Sequence, residues 1–149
     1  MSEPIPTYHD CLIDLGAQLA ERGSLGLIMI DATSLGAIEL EYGGDAYAEV
    51  RQRMFKLLGE QKGKDYRLGD VLCLDEPGGL RFLLFLERKR RRNLPVTSAD
   101  LKSVRNRLAS SLAPSLARTS FPYFKSPPRI HLGHGLALHN SLVGPKRLL

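Results

Sequence analysis

Two groups of side chains in this sequence have the types and spacing that chemistry or ligand binding requires. Asp31 follows the apolar run Leu25–Ile30, and the end of a buried strand is where sheets of this kind tend to place functional groups. Arg67 and Asp70 form an Arg-x-x-Asp pattern, in which the guanidinium can bind a phosphate bidentately. The pattern is also common by chance, and such residues often form surface ion pairs that contribute little to stability.

A basic run, Arg88–Arg92, supplies much of the net charge of +5. Such a run can attract phosphate, nucleic acid or an anionic membrane surface. It can equally be a solvated loop whose charges protect a neighbouring apolar strand from aggregation. No aromatic residue interleaves with the run, whereas single-stranded nucleic acid usually stacks on aromatic side chains. The sequence therefore makes nucleic-acid binding the alternative function and not the first expectation.

The histidines and cysteines form no metal-binding or catalytic pattern. His131 and His134 are three residues apart, which places them on opposite faces of a strand. Cys11 and Cys73 have no paired spacing, so the sequence indicates neither a zinc site nor a disulfide framework. No P-loop or dinucleotide-binding glycine pattern occurs. We expect no cofactor, and a reducing, cytoplasmic setting.

The length and composition of the chain predict one domain with a proper core. It has 149 residues, of which 43% are hydrophobic, and its charged fraction is ordinary for a folded protein. The apolar runs are strand-sized, far short of the roughly 20 residues that a membrane helix needs. The N-terminus lacks the basic-then-apolar pattern of a secretory signal. We therefore expect no insertion into a membrane.

The first half of the chain predicts a helix, a strand and two further helical segments. Thr7 precedes Asp10 by three positions, as in a capping box, and the helix that it opens ends at Gly23. The run Leu25–Ile30 predicts a strand covered on both faces. The apolar positions that follow are Leu35 and Ile38 in a short helical segment, and Tyr47, Val50, Met54, Leu57 and Leu58 in a longer helix from about Asp45.

The second half predicts two strands, a helix and a last strand. The strands span about residues 66–74 and 80–87, and Pro77, Gly78 and Gly79 mark a hairpin turn between them. Thr97 or Ser98 caps a helix with the apolar stripe Leu101, Val104, Leu108 and Leu112, which Pro114 is expected to end or kink. Residues 120–128 predict a loop and residues 129–138 a strand. This order predicts an α+β fold with a ferredoxin-like βααββαβ core, helices on one face of an antiparallel sheet, and an extra N-terminal helix.

Three segments in this order resemble the GGDEF family, the diguanylate cyclase domains that make cyclic di-GMP. They are Leu25–Asp31, Tyr42–Gly44 and the turn Gly78–Phe82, which reads Gly-Gly-Leu-Arg-Phe. The resemblance implies a nucleotide-cyclase palm fold in which Asp31 is a magnesium ligand. It also implies that the signature acids of the turn are replaced, because Leu80 and Arg81 stand where the family has carboxylates.

The resemblance further implies that the guanine-recognition residues are altered. The family's Asn and Asp correspond to Glu39 and Ala48 here, and Leu35 and Gly36 stand where the family has Phe and Lys. An apolar side chain cannot ligate Mg²⁺, and loss of the metal removes charge neutralisation and substrate orientation. We therefore expect a catalytically inactive domain with no metal, in which Asp31 is a vestigial ligand position.

One binding motif of the family is recognisable. Its inhibitory site for cyclic di-GMP is an Arg-x-x-Asp sequence upstream of the signature turn, which Arg67 and Asp70 match. Seven residues separate Asp70 from Gly78, two more than in the family. An even insertion lengthens a hairpin without changing which face a strand residue points to. The resemblance thus implies cyclic di-GMP binding at Arg67 and Asp70.

The resemblance divides the chain into an N-terminal extension, residues 1–24, and a degenerate GGDEF-like domain, residues 25–149. The domain is expected to stop before the last helix and strand of the family, with 144–149 as the start of that helix. Either the chain is a fragment or the domain is shortened, and a shortened domain leaves a sheet face uncovered for a protein partner or a second copy. The expected function is a regulatory or protein-interaction module in bacterial cyclic-di-GMP signalling; the alternative is a basic ferredoxin-like nucleic-acid-binding module.

Overall fold

A computed structural model of the chain describes residues 5–67, 69–86, 97–120, 122 and 130–138. It contains four α-helices, four strands and a 3₁₀ turn within those residues. In chain order they are α1 (Tyr8–Arg22), β1 (Ser24–Asp31), the 3₁₀ turn (Thr33–Gly36), α2 (Ala37–Tyr42), α3 (Gly44–Glu60), β2 (Val71–Leu74), β3 (Arg81–Leu86), α4 (Ser98–Ser120) and β4 (His131–Leu138).

The strands form one antiparallel sheet in the order β2-β3-β1-β4. β1 is central, and its last residue, Asp31, lies opposite Arg81 on β3 and His131 on β4. The elements after α1 follow the order βααββαβ, so the predicted α+β, ferredoxin-like fold is confirmed.

The core helices pack on one face of this sheet. Ile28 and Ile30 of β1, with Phe82 and Leu84 of β3, face apolar side chains of α2, α3 and α4. Every predicted stripe residue of α4 is fully or almost fully buried: Leu101, Val104, Leu108 and Leu112. Phe55, which the predicted stripe of α3 omitted, is also buried and packs edge-on against Phe82 with ring centroids 5.7 Å apart.

Helix α1 covers the opposite face of the sheet. Leu15 and Leu19, both fully buried, pack on a second cluster that includes Leu25, Leu83 and Phe85. The expectation that a shortened domain leaves a sheet face uncovered is therefore wrong for much of this face, because the N-terminal segment supplies the cover.

The N-terminal helix has the ends that its sequence predicts. The Thr7 hydroxyl accepts a hydrogen bond from the Asp10 N–H at 3.3 Å, and the Asp10 carboxylate accepts one from the Thr7 N–H at 3.1 Å. Gly23 ends the helix with φ of 80° and donates its N–H to the Leu19 carbonyl at 2.8 Å. Since this φ favours glycine, the chain can turn directly into β1.

One predicted boundary is wrong, and of the two effects predicted for Pro114, an end or a kink of the helix, the structure contradicts the end. Strand β2 begins at Val71 and not near Tyr66, because the Asp70 N–H bonds the Arg67 carbonyl at 3.1 Å and turns the chain just before the strand. Helix α4 continues through Pro114 to Ser120, although proline lacks the N–H that would bond the Ser110 carbonyl.

Several expectations lie outside the described residues. They are the basic run Arg88–Arg92 and the tail 144–149 with its predicted helix start, together with most of the loop predicted at 120–128. Among the helices that the structure describes, none is long and apolar enough to cross a membrane.

Candidate functional site

The end of β1 holds the acid that the sequence singled out. The Asp31 carboxylate accepts two hydrogen bonds from Thr33, one from its N–H at 3.0 Å and one from its hydroxyl at 2.6 Å. These bonds lower the pKa of Asp31, and the charges of Arg81 and His131 act in the same direction. Asp31 is thus an ionised hydrogen-bond acceptor, and both of these hydrogen bonds come from a residue two positions further along the chain.

Arg81 places its guanidinium between two carboxylates. Its Nε is 3.8 Å from Oδ2 of Asp31, and its Nη1 is 3.4 Å from Oδ2 of Asp75. The side chain is 44% exposed, so solvent weakens both ion pairs. A divalent cation at Asp31 would have to displace this positive charge, which Coulomb repulsion disfavours. No group of three or more potential metal ligands occurs in the part of the chain that the structure describes.

The turn before β3 is held by α3 and by the core. Gly78 has φ of 77°, its carbonyl accepts the Tyr47 hydroxyl at 3.1 Å, and the Gly79 carbonyl accepts the Arg51 Nε–H at 3.0 Å. Leu80 is 3% exposed, and its carbonyl accepts the Ala32 N–H at 2.9 Å. The side chain at the third position of the turn therefore belongs to the core and offers no ligand atom.

The positions that correspond to guanine recognition do not form a polar pocket. Leu35 is fully buried in the core, whereas Glu39 and Ala48 are exposed on α2 and α3. Ala48 has no hydrogen-bonding side chain. Glu39 remains the one side chain of this set that can accept from a base.

The Arg67–Asp70 pair is joined through the backbone. Asp70 is 4% exposed, and its Oδ2 accepts the Arg67 N–H at 2.8 Å, so the carboxylate holds the loop that carries the exposed Arg67 side chain. This geometry gives Asp70 a structural role. Binding of a ligand by the pair stays a prediction.

A cleft of about 400 Å³ opens beside this loop, and the sequence interpretation missed it. Asp65, two residues before Arg67, lines it on one side. Polar residues of α4 line the other: Ser103, Asn106, Arg107, Ser110 and Ser111. Their spacing of three and four residues is the signal that could have revealed them, because it marks one polar helix face opposite the buried stripe.

The structure confirms the predicted placement of two histidines and places the two cysteines closer together than the sequence suggested. His131 and His134 lie on opposite faces of β4, as predicted: His131 is exposed beside Asp31, and Nδ1 of His134 is 2.9 Å from Nη1 of Arg105 on α4. Cys11 and Cys73 look isolated in the sequence, but the fold brings both free cysteines into one apolar cluster between α1 and the sheet, where each thiol affects the pKa of the other.

No protein-family model and no curated protein sequence matches this chain. Solved structures do match. The GGDEF domain of YfiN (TpbB) from Pseudomonas aeruginosa superposes with a TM-score of 0.61 at 19% identity, over 97% of this chain and 83% of that one. The chain has a GGDEF-like fold. The resemblance found in the sequence is confirmed at the level of the fold.

Two further GGDEF-like structures match over most of this chain. The active GGEEF domain of a diguanylate cyclase from Vibrio cholerae has a TM-score of 0.58 at 19% identity, over 92% of this chain and 79% of that one. The GGDEF domain of DgcB from Caulobacter crescentus, in complex with c-di-GMP, has a TM-score of 0.57 at 12% identity, over 97% of this chain and 78% of that one.

Proposed function

We propose that this chain is a catalytically inactive GGDEF-like module in bacterial cyclic-di-GMP signalling, which acts in the cytoplasm by regulation or protein interaction. The observation that carries the proposal is the position of Arg81, whose guanidinium lies between Asp31 and Asp75. Free thiols at Cys11 and Cys73 agree with a reducing compartment.

The donor set around Asp31 does not fit the magnesium ion that cyclase chemistry needs. Mg²⁺ is bound through one or two carboxylates plus substrate phosphates in near-ideal octahedral geometry. Here one carboxylate is engaged by Thr33, the neighbouring turn position is the buried Leu80, and Arg81 supplies a competing positive charge. We therefore derive no catalytic step through a metal.

Turnover of GTP tests the inactive state directly. The purified chain should form no cyclic di-GMP from GTP with Mg²⁺ or Mn²⁺, while an active GGEEF domain assayed alongside should form it. Product above the no-protein control that disappears in Asp31→Ala would overturn the proposal, because it would show that the carboxylate still serves a reaction.

We further propose that any cyclic di-GMP held by the chain binds in the cleft between the Arg67 loop and α4. Arg107 lines this cleft, and the exposed Arg67 lies two residues after the lining Asp65, so both can supply positive charge for the phosphates. Asp65 lines the same cleft, and its Oδ2 is buried without a hydrogen-bond partner among the described residues. A buried acceptor without a donor is costly, and the N–H groups of a guanine edge would satisfy it.

Calorimetry with cyclic di-GMP tests this site. Binding to the wild type in the range of tens of micromolar should weaken at least tenfold in Arg67→Ala and in Arg107→Ala. Arg118→Ala is the matched control, because Arg118 lies on the same helix but lines a separate cleft with Arg53 and Lys56. Equal weakening by Arg118→Ala would indicate unspecific charge attraction, and an absence of heat with the wild type would leave protein interaction as the function.

For the role in protein interaction, we propose that α2 forms part of the surface that contacts the partner protein. Leu40 is 91% exposed and Tyr42 is 53% exposed on this short helix. If a second copy is the partner, sedimentation velocity should detect a concentration-dependent dimer that Leu40→Glu reduces. The control is Ile13→Glu, since Ile13 is an exposed apolar residue of α1, on the opposite face of the sheet. Equal effects of the two variants would argue against a specific surface at α2.

A further inference from the structure

The fold joins two cysteines that are far apart in the sequence. Cys11 lies in the first half of α1 and Cys73 in β2, and Cys11 packs against the buried cluster that contains Cys73. Cys73 is fully buried, whereas Cys11 is half-buried at the edge of the second cluster. One thiol of the pair is thus open to small reagents and the other is shielded behind it.

Neighbouring contacts hold the two elements in place around the thiols. The Leu74 N–H donates to the Pro6 carbonyl at 2.8 Å, which ties the segment before α1 to the end of β2. Tyr8 stacks on Phe85 of β3 with ring centroids 6.2 Å apart. A disulfide requires the two Cβ atoms to lie about 3.5–4.5 Å apart, and two side chains of one packed cluster need only a small movement to reach that geometry.

We propose that Cys11 and Cys73 are a redox modification site, at which a peroxide converts the two thiols into a disulfide that joins α1 to β2. The Cys11 sulfur attacks the O–O bond, takes one oxygen to become a sulfenic acid and releases one water. The Cys73 sulfur then attacks the Cys11 sulfur, and the sulfenic oxygen leaves as a second water. The two thiols lose two protons and two electrons, and the peroxide is reduced to water.

The surroundings of the pair favour a slow reaction with a defined order. Burial raises the pKa of the Cys11 thiol, and the carboxylates of Asp10 and Asp14 raise it further. Burial also raises the pKa of Cys73 to about 12, so this thiol is protonated at neutral pH and is expected to react second. Because thiolates are the reactive species, we expect oxidation by sustained peroxide stress and not by brief exposure.

The disulfide would change the attachment of the N-terminal helix. In the reduced state α1 is held on the sheet by packing and by the contact at Pro6. In the oxidised state it is fixed covalently, and residues 11–73 become a closed loop that restricts the unfolded chain. Oxidation is therefore expected to raise the melting temperature, by about 5–10 °C for a chain of this size.

The test treats the reduced chain with hydrogen peroxide and counts thiols by alkylation and mass spectrometry under denaturing conditions. Both thiols should disappear together with the loss of two hydrogen atoms, the protein should stay monomeric, and dithiothreitol should restore the thiols and the lower melting temperature. Cys11→Ser should leave Cys73 unoxidised at the same dose, and Cys73→Ser should stop at a trappable sulfenic acid on Cys11.

The proposal is overturned if Cys11 is oxidised while Cys73 stays free in the wild type, or if the product is a disulfide between two chains. The Cys73→Ser variant could fail to fold because the serine hydroxyl would be buried. In that case, the thiol counts and melting temperatures of the oxidised and reduced wild type still test the proposal. An unchanged melting temperature after complete loss of both thiols would also contradict it, because a bond between α1 and β2 must restrict the unfolded chain.

Discussion

Thr33 and not Arg81 is the main partner of the acid at the end of β1. The side chain and the N–H of Thr33 both donate to the Asp31 carboxylate, whereas Arg81 approaches at 3.8 Å and divides its charge between Asp31 and Asp75. Charged hydrogen bonds at short range outweigh a longer ion pair that solvent screens. Asp31 therefore has a structural role, because its hydrogen bonds with Thr33 close the turn after β1.

This setting predicts how stability depends on pH. Because the folded-state pKa of Asp31 is lowered from 3.8, its ionised form stabilises the fold above that pH, and the stabilisation is lost as the pH falls through the lower folded pKa. In Thr33→Val the carboxyl resonance of Asp31 should titrate at higher pH by NMR, and urea unfolding should show a smaller loss of stability in acid. Arg81→Gln should shift the titration less; a larger shift than in Thr33→Val would show that the ion pair dominates.

Arg51 is expected to be the most important cation of α3 for stability. Its Nε donates to the Gly79 carbonyl at 3.0 Å, and its guanidinium lies 4.7 Å from the centre of the Phe55 ring. Loss of a partly buried hydrogen bond and a cation–π contact should make Arg51→Ala less stable by about 1–2 kcal/mol in urea unfolding. Arg53→Ala should cost less than about 0.5 kcal/mol, because Arg53 forms an exposed i,i+4 pair with Glu49. Equal losses would contradict the role of the turn contact.

At the scale of the elements, packing of α4 on the sheet outweighs the tendency of Pro114 to end a helix. Its N-terminus has a capping box, in which the Thr97 hydroxyl accepts the Asp100 N–H at 3.1 Å. Four buried side chains then hold the helix on the sheet before Pro114 is reached. Since Pro114 itself is exposed, its ring faces solvent, and the helix continues despite one missing backbone hydrogen bond.

Replacing this proline should strengthen the helix. Pro114→Ala restores an N–H for the Ser110 carbonyl, and proline is about 3 kcal/mol less favourable than alanine inside a helix, so a gain of about 1–3 kcal/mol is expected in chemical denaturation. Ala109→Gly calibrates the scale on the same helix with an expected loss of about 1 kcal/mol. A destabilised Pro114→Ala would mean that the proline has a packing role that its exposed position does not suggest.

The elements also separate what a local pattern can predict from what it cannot. The stripe of α4 and the caps at Thr7 and Thr97 were predictable, because side chains three and four residues apart meet within one helix. The face of the sheet on which α1 packs was not, since an amphipathic helix specifies only that it must be buried. The burial of Asp70 could not be predicted for a similar reason. The Arg-x-x-Asp pattern fits both an acid that stabilises its own loop and an acid that binds a ligand.

At the scale of the molecule, the sheet separates two apolar clusters of unequal size. The larger one joins β1 and β3 to α2, α3 and α4, and the smaller one holds α1 through Leu15 and Leu19. A helix attached by the smaller cluster can open without the rest of the fold, because local stability follows the apolar surface that each unit buries. Elsewhere on the same helix, Ile13 is 73% exposed and contributes little to this attachment.

Leu15→Ala should therefore act mainly on α1. A loss of about 2–4 kcal/mol is expected for a fully buried leucine, and hydrogen exchange in α1 should accelerate more than exchange in β1 and α4. Ile13→Ala is the control on the same helix and should change stability by less than about 0.5 kcal/mol. Uniform acceleration across all elements would show that α1 and the sheet unfold as one unit.

The packing of α1 also has a consequence for the order in which the chain can fold. The helix is synthesised before the residues that cover its apolar side, because Cys73, Leu83 and Phe85 follow some sixty residues later. Until β2 and β3 have paired with β1, Leu15 and Leu19 have no native surface to contact. The nascent chain must therefore carry an exposed amphipathic helix until β3 has been synthesised, and α1 docks only after these strands have paired.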